Sequence, residues 1–401
     1  MSRKRIVFLA EGATMAHFVR PLVLADSLDT ERYEVYFFAP ARFSGYLRNK
    51  PYTVGELASM PGHQFLANIA RGAPLFPTEV LRGYVKQERE LFASIRPDLV
   101  VADMRLSLTV SARLEGVLHA VIVSAYWSPY APRRSIIPSL PITRVISPRL
   151  LNPIYKLTES LAYAVHVRPL NRVRREYGLP ALPPDIRAMY TEADYTLYAD
   201  IPEFVPAPDR PKSHRYVGTC SWTLNATKPE WWNRMRADPR PKVFVGLGSS
   251  GALRVLPGLL RVLETMPVAV LLSTSGREVP AVAPGVYEAG LLPLFETARE
   301  SAVVVSHGGS SGFYPAIAAG TPVLGIPSNA DQQLSTAVLE DSGAGVGGRV
   351  EDASEKRLRC ALERLLFDPQ YRARAQKWAE VLARYDSGAL FQEFVAEVLP
   401  A

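Results

Sequence analysis

Short apolar runs alternate with amphipathic stretches along most of the chain. The short runs are typical of strands that are buried on both faces of a parallel sheet. They predict strands at Arg5–Ala10, Tyr33–Ala39, Asp98–Ala102, Val117–Ser124, Asp194–Tyr198, Lys242–Gly246, Val268–Leu272, Ala302–Ser306 and Pro322–Gly325. Apolar residues at every third or fourth position predict helices at Phe18–Leu28, Pro77–Ile95, Leu106–Glu115, within Leu150–Tyr177, and at Leu256–Leu263, Leu294–Glu300, Ser311–Ala319, Asp331–Asp341, Ser354–Leu366, Tyr371–Arg384 and Leu390–Val398. The alternation predicts an α/β protein.

The alternation stops in a polar, Pro-rich stretch at Pro202–Trp232 and then begins again. We therefore expect two Rossmann-like domains, with parallel sheets facing each other across a cleft where a ligand binds. The expected parts are an N-terminal domain at 1–220 with a Pro-rich basic insertion at 127–177, a linker at 221–240, a C-terminal domain at 241–385, and a helix at 386–401 that packs back on the N-terminal domain.

Composition excludes several classes of protein. The 401 residues include only two cysteines, which rules out a disulfide framework and suits a reducing compartment. The first apolar run stops at Glu11, too early for a signal peptide, and no run reaches the 18 residues of a membrane span. The histidines and cysteines lack zinc spacing. A cytoplasmic protein is expected.

The net charge of the whole chain is +7, and the insertion at 127–177 alone has the same net charge. It contains nine Lys and Arg residues and only two acids, Glu159 and Glu176. Seven prolines and several Ile, Leu, Tyr and Trp residues are interleaved with them. A solvated face is the simplest interpretation. The alternatives are docking on an anionic membrane surface and binding of nucleic acid. We keep peripheral membrane contact as an expectation, and expect no nucleic-acid partner.

A glycine-rich loop, Gly246-Leu247-Gly248-Ser249-Ser250-Gly251, follows a predicted strand and matches the G-x-G-x-x-G pattern of dinucleotide sites. Such a site also needs an acidic residue at the end of the next strand, where it binds the ribose. That strand ends in Leu272-Ser273-Thr274-Ser275, which contains no acid. NAD is therefore not expected, although the loop amides remain suited to a phosphate.

A second loop, Gly308-Gly309-Ser310-Ser311-Gly312, matches the G-x-S-x-G pattern of a hydrolase nucleophile. Hydrolases of that type place their histidine after the serine, and no histidine follows His307. With His307 included, the same loop leaves a strand and opens a helix, where glycines and backbone amides accommodate a phosphate. A tight turn with a capping serine is the alternative interpretation.

A second group of polar residues follows the next strand. Ala319-Gly320-Thr321-Pro322 leads through that strand to Asp331 and Gln332, which could hydrogen-bond sugar hydroxyls. At this spacing, His307 to Gln332 resembles the donor signature of GT-B glycosyltransferases. The whole chain is similar to the UDP-glycosyltransferase-like enzymes that modify natural products and lipids, including His17 after the first strand, Asp98–Asp103, Ser124–Pro129 and Gly248-Ser249.

The resemblance implies an inverting transferase with a nucleotide-diphospho-sugar as co-substrate and no other cofactor. The donor residues that it implies are Gly12, Gly248, Ser249, His307, Gly309, Ser310, Ser311, Gly312, Asp331 and Gln332. Three positions depart from the family pattern. Pro315 replaces a ribose-binding Glu, which keeps a thymidine donor open beside a uridine donor. Ser335 replaces the usual Asn, and Ser311-Gly312 replaces a Gly-Thr pair.

A general base is needed to take the proton of the attacking hydroxyl. His17 lies in the first βα connection and Asp103 directly follows a strand, so both belong at the same sheet edge. An Asp that accepts from an imidazole fixes its tautomer. The ordinary alternatives are a helix-start residue for His17 and an N-cap for Asp103. In the family that the chain resembles, this pair is the catalytic dyad.

The acceptor half is less informative. Tyr126 and Trp127 are candidates for an apolar acceptor pocket, whereas Phe65, Phe76, Tyr84 and Phe92 suit either a pocket or a core. The chain contains no D-x-D motif, so we expect no metal. The expected activity is sugar transfer to a hydroxyl of a lipophilic small molecule or lipid. The alternatives are a sugar-nucleotide epimerase and a non-catalytic auxiliary protein of the same fold.

Overall fold

The computed structural model describes residues 3–221, 226–279 and 285–400, and the chain divides into two compact units. The first unit combines Met1–Ser135, Arg149–Cys220 and Tyr385–Ala401. The second combines Ile136–Pro148 and Ser221–Arg384. Residues 222–225 of the expected linker lie outside the described residues.

The strands of the described residues form two sheets, both entirely parallel. The strands are β1 (Lys4–Ala10), β2 (Tyr33–Ala39), β3 (Thr53–Glu56), β4 (Leu99–Asp103), β5 (Leu118–Val123), β6 (Tyr195–Tyr198), β7 (His214–Tyr216), β8 (Lys242–Gly246), β9 (Ala269–Ser273), β10 (Tyr287–Ala289), β11 (Val303–Ser306), β12 (Val323–Gly325) and β13 (Gly345–Gly347). The first unit has the order β3-β2-β1-β4-β5-β6-β7, and the second β10-β9-β8-β11-β12-β13. Central strands such as β1 are continuous buried runs, because helices cover both faces.

α-Helices connect most of the successive strands in both units. They are α1 (Ala16–Asp26), α2 (Gly62–Arg71), α3 (Thr78–Ile95), α4 (Leu108–Glu115), α5 (Pro148–Glu176), α6 (Ile186–Tyr190), α7 (Trp232–Ala237), α8 (Leu256–Glu264), α9 (Leu294–Arg299), α10 (Ser310–Ala318), α11 (Ala330–Asp341), α12 (Glu355–Phe367), α13 (Pro369–Leu382) and α14 (Ser387–Val398). Within the described residues, none has both the length and the apolar character needed to cross a bilayer.

Sequence patterns predicted most elements but missed the strands β3, β7, β10 and β13 and the helices α2, α6 and α7. The strands β7, β10 and β13 have three residues each, too few to show a period, and β7 lies in the stretch expected to be a linker. The helix α1 begins at Ala16 rather than near Phe18, so Pro21 lies in its second turn instead of its first. That position leaves the carbonyl of His17 without the usual helical donor.

The structure divides the 127–177 segment between the two units, instead of keeping it within the N-terminal domain. Its central part is fixed to the second unit by hydrogen bonds. Arg349 Nη1 donates to the carbonyl of Ile137 at 2.8 Å, and Thr143 Oγ1 donates to the carboxylate of Glu351 at 2.7 Å. The side chain of Gln333 is bonded to Ser139 Oγ at 2.9 Å.

The C-terminal helix α14 completes the core of the first unit. Phe391 and Phe394 are buried, and the ring of Phe391 lies 5.8 Å from that of Phe8 on β1. Asp386 begins the helix by accepting from two backbone N–H groups of its first turn, an ordinary N-cap. The first unit therefore contains residues from both ends of the chain.

Candidate functional site

The carboxyl edge of the first sheet brings His17 and Asp103 together. The strands β1 and β4 are neighbours, with Ala10 in register with Asp103, so both strands end at the same level. The helix α1 begins just beyond β1 and carries His17 in its first turn. His17 Nδ1 and Asp103 Oδ1 are 2.8 Å apart, a hydrogen bond between residues predicted from the sequence to share this edge.

Asp103 is also held by Arg20, which was not predicted from the sequence. Arg20, one turn after His17 on α1, donates through Nη1 to Asp103 Oδ2 at 3.2 Å and through Nη2 to Ser124 Oγ at 2.9 Å. Asp103 is fully buried, which opposes its ionisation. Its interactions with His17 and Arg20 outweigh burial and hold the pKa of Asp103 below its ordinary value. The spacing of three residues between His17 and Arg20, which puts both on one side of a helix, was the available signal.

The ionised Asp103 decides the tautomer of His17. A carboxylate can only accept, so in the neutral imidazole of His17 the proton is on Nδ1 and Nε2 has the lone pair. The His17 side chain is 15% exposed and its ring meets the edge of Phe65, with centroids 6.3 Å apart. Phe65 in turn packs on Phe76, and both are buried. The arrangement leaves one basic nitrogen in an aromatic environment, which suits proton abstraction from a hydroxyl.

A buried ion triad lies at the same edge and was not predicted. Arg105, two residues after Asp103, donates to Glu11 Oε2 at 3.0 Å and through Nε to Glu88 Oε1 at 2.6 Å, with all three side chains fully buried. Its guanidinium also lies 3.5 Å above the ring centre of Tyr84. The triad ties the ends of β1 and β4 to α3. No sequence signal gave it, because its members are up to 94 residues apart.

Gly12 lies in the first unit, at this edge of the sheet. Its N–H donates to Ser59 Oγ at 2.7 Å, and a Cβ at this position would lie 2.7 Å from Pro40 Cγ. The close packing explains why a glycine is needed.

Tyr126 and Trp127 occupy a turn directly after β5, where the Trp127 ring packs edge-on against Tyr190 with centroids 5.3 Å apart.

The other nine predicted donor residues lie in the second unit. There, the ends of β8 and β11 are neighbours, with Gly246 in register with Ser306, so the two glycine-rich loops emerge side by side. Four glycines from these loops surround the imidazole of His307. A Cβ would lie 3.1 Å from the ring at Gly248 and Gly312, 2.9 Å from the His307 Cβ at Gly251, and 2.6 Å from Nε2 at Gly309.

The enclosed imidazole of His307 is neutral and incompletely bonded. Burial lowers the pKa of His307 to about 4, so the ring carries no charge at neutral pH. Its Nδ1 is buried and has no hydrogen-bond partner among the described residues. Buried polar atoms are nearly always satisfied in native proteins, so an unpartnered one in a loop of glycines indicates a ligand-binding position.

The groups next to His307 favour an anion. The helix α10 begins at Ser310, directly after the loop, and has no side-chain cap, so the positive end of its dipole faces this position. Arg277, which follows β9, donates to the carbonyl of Gly251 at 2.7 Å and brings a cation into the electrostatic range of His307. Arg277 was not predicted from the sequence, although the residues after β9 belong to the same sheet edge. Ser249 and Ser311 are exposed at this edge.

Asp331 and Gln332 begin α11 beside the same loops. Asn329 caps the helix by accepting from the N–H of Gln332 at 3.0 Å. The Gln332 side chain is buried and donates to Ser250 Oγ of the first glycine loop at 3.2 Å, while Asp331 is exposed. The position of Asp331 gives it an electrostatic effect on His307. Gln332 therefore supports the first glycine loop from within the unit, whereas Asp331 presents an exposed carboxylate.

Comparison with known proteins gives matches along the chain. Residues 268–389 match the family model described as Erythromycin biosynthesis protein CIII-like, C-terminal domain. A "PGL/p-HBAD biosynthesis glycosyltransferase" of Mycobacterium tuberculosis is 42% identical over 382 residues, which cover 94% of this chain and 88% of the relative. A "PGL/p-HBAD biosynthesis rhamnosyltransferase" of Mycobacterium bovis is 39% identical over 383 residues, 95% of this chain and 85% of the relative.

Solved structures share the fold at much lower identity. The spinosyn rhamnosyltransferase SpnG, solved in complex with thymidine diphosphate, superposes with a TM-score of 0.68 at 16% sequence identity. The match covers 98% of this chain and 99% of the other. At this identity the likeness concerns the two-unit α/β fold.

Proposed function

Because the chain belongs to the UDP-glycosyltransferase-like family of natural-product and lipid glycosyltransferases, we propose that it transfers a sugar from a nucleotide-diphospho-sugar to a hydroxyl of a lipophilic acceptor. The proposal includes inversion at the anomeric carbon, His17 as the general base, and no need for a metal. The observation that carries it is the enclosure of a neutral His307 by two glycine loops at the start of α10, with no partner for its Nδ1 among the described residues.

The donor would bind through its diphosphate at these loops. His307 would donate to a phosphate oxygen, and the α10 dipole and Arg277 would stabilise the negative charge. Thymidine and uridine remain the candidate nucleosides. Thymidine is supported by the thymidine diphosphate bound to the spinosyn enzyme and by Pro315 at the place of a ribose-binding Glu. Rhamnose is the first sugar to test, since one close relative is named a rhamnosyltransferase.

The acceptor proposal follows the names of the relatives. Both are named for PGL/p-HBAD biosynthesis, so an acceptor of that kind, or a related lipophilic molecule with a hydroxyl, is proposed for this chain. Peripheral contact with a membrane through the basic segment 127–177 would bring the enzyme to such an acceptor. A cytoplasmic location stays a prediction.

In the proposed reaction, His17 Nε2 takes the proton of the acceptor hydroxyl while the oxygen attacks the anomeric carbon. The bond between that carbon and the diphosphate oxygen breaks, and the nucleoside diphosphate leaves with the bonding electrons. Asp103 stabilises the imidazolium that forms at His17. A single displacement of this kind inverts the anomeric configuration.

Metal independence is supported by the donor side chains. The charge of the leaving group would be balanced by His307, Arg277 and the α10 dipole instead. Turnover in the presence of EDTA should equal turnover without it, and loss of activity that Mg²⁺ restores would overturn this part of the proposal.

The first experiment separates donor binding from turnover. Calorimetry with dTDP, UDP, GDP, ADP and NAD, without metal, should show tight binding of dTDP or UDP and its loss in His307→Ala. His17→Ala should keep diphosphate binding and lose about 10²- to 10⁴-fold in kcat, as expected for a missing general base. His63→Ala, an exposed histidine of the same unit, is the matched control and should retain full activity.

The alternatives give different results in the same experiment. A sugar-nucleotide epimerase would convert the donor without any acceptor. If the protein is a non-catalytic auxiliary protein, the wild type and the His17→Ala variant should activate a partner transferase equally well. Binding of no nucleoside diphosphate at all would remove the donor site and the mechanism built on it.

A further inference from the structure

The helix α5 exposes a stripe of large aliphatic side chains. Leu150, Ile154, Leu157 and Leu161 are 69%, 60%, 86% and 64% exposed. Their spacing of four, three and four residues places them on one side of the helix, within an arc of about 60°. The stripe runs along about 16 Å of the helix axis. Single exposed leucines are ordinary, but four in line form a surface that a partner normally covers.

The same side of α5 becomes basic further along the helix. Arg168, Arg172 and Arg175 continue the spacing of the stripe, and all three are exposed. We call these three arginines and the four aliphatic residues the α5 outer face. The opposite side carries the buried residues, among them Val167, Leu170 and Val173.

The two acidic residues of α5 do not oppose this charge. Glu159 is on the buried side, where its carboxylate accepts from Arg133 Nε at 2.8 Å. Glu176 is bonded to Arg82, with Nε to Oε2 at 2.7 Å and Nη2 to Oε1 at 2.5 Å. The α5 outer face therefore combines aliphatic side chains with cations and contains no acid.

We infer that the α5 outer face is a docking surface for an anionic lipid membrane. Aliphatic side chains that enter the acyl boundary and cations that meet anionic headgroups are the two features of interfacial helices. A stable contact with another protein, or with a second copy, takes about 20–30 residues from each side, far more than this face offers. The inference rests on the proposed function in one respect, since a membrane-held acceptor gives the docking its purpose.

Flotation of the full chain with vesicles tests the inference. The protein should float with vesicles of phosphatidylcholine and phosphatidylglycerol at low salt, float much less with phosphatidylcholine alone, and be released at high salt. Leu157→Glu, at the most exposed position of the stripe, should lower the ratio of bound to free protein by at least about tenfold. Glu is a good helix former, so α5 should remain intact.

Two variants on another surface are the matched controls. Phe367→Glu removes an exposed aromatic residue at the end of α12, and Lys356→Glu reverses an exposed charge on the same helix. Both should bind vesicles like the wild type, whereas Arg168→Glu should bind more weakly. Equal binding of Leu157→Glu and the wild type, or no binding to anionic vesicles at low salt, would overturn the inference.

A protein partner would give a different pattern. If sedimentation without vesicles showed a dimer that Leu157→Glu dissociates, the face would be an interface between copies and the membrane inference would be wrong. Calorimetry with dTDP or UDP on the same variants separates the two proposals. Donor binding without vesicle binding contradicts only the docking surface, and vesicle binding without donor binding contradicts only the proposed function.

Discussion

The glycine enclosure of His307 allows a sharp test of the donor site through Gly309→Ala. The backbone of Gly309 has φ −74° and ψ 151°, a conformation that alanine adopts without strain. Only space matters, and the new Cβ would lie 2.6 Å from His307 Nε2. Ordinary contact needs about 3.5 Å, so the imidazole must move by roughly 0.9 Å.

The displaced ring has little room, since Gly248 and Gly312 bound its other edge. A movement of this size would break the proposed hydrogen bond to a phosphate oxygen, and such a bond to a charged group contributes about 1.5–3 kcal/mol. The dissociation constant of the nucleoside diphosphate should therefore rise about ten- to hundredfold. Isothermal calorimetry with dTDP and UDP measures this change directly.

Two other glycines supply graded controls. Gly312→Ala would place its Cβ 3.1 Å from the ring, so it should weaken binding less than Gly309→Ala. Gly83→Ala on α3 meets nothing within 4 Å and should leave donor binding unchanged. If Gly309→Ala melted like the wild type and bound both diphosphates within about twofold of it, His307 would not contact the donor and the argument would be wrong.

Three further predictions concern the base, the pH dependence and the attached segment. Asp103→Asn should lower kcat by about 10²- to 10⁴-fold at unchanged diphosphate affinity, because the amide no longer enforces the required imidazole tautomer. Burial lowers the pKa of His119 to about 3, while an unfolded histidine titrates near 6.5. Between these pH values the unfolded chain therefore binds one more proton than the folded chain, so the free energy of unfolding should fall as the pH drops below about 6.5. In His119→Met, the melting temperature should fall less over the same pH range. Arg349→Ala removes the hydrogen bond to Ile137, so trypsin should cleave after the exposed Arg144 at least about tenfold faster on peptide mapping, and an unchanged rate would show that the other contacts hold the segment.

Much of the fold was accessible from the sequence because the central strands are long, buried and apolar. The run at β1 and the alternation around it predicted parallel sheets, and the comparisons confirm the α/β fold, the family and the glycosyltransferase class. Three-residue edge strands such as β13 were not predicted, since their pairing depends on a neighbouring strand rather than on a local sequence pattern. The attachment of Ile136–Pro148 to the second unit was also hidden, because it depends on distant partners such as Arg349.

The candidate site divides in the same way. The loop at His307 is a local sequence motif, and the sequence was sufficient to predict it. Arg105 was missed because its partners lie up to 94 residues away and only the fold brings them close. Arg20 was missed although its spacing from His17 was an available signal. The hydrogen bond between His17 and Asp103 followed from sheet topology, whereas their catalytic role stays a prediction.

The position of α14 determines the order in which the molecule can be completed during synthesis. The core around Phe8 lacks Phe391 and Phe394 until the α14 residues have left the ribosome. The first unit begins before the second and is completed after it, whereas most domains close soon after their own segment emerges. The second unit needs no residue after Arg384, so it can fold before the first unit is complete. A fragment that ends at Cys220 would leave Phe8 and its neighbours uncovered, and would be a poor substitute for the intact first unit.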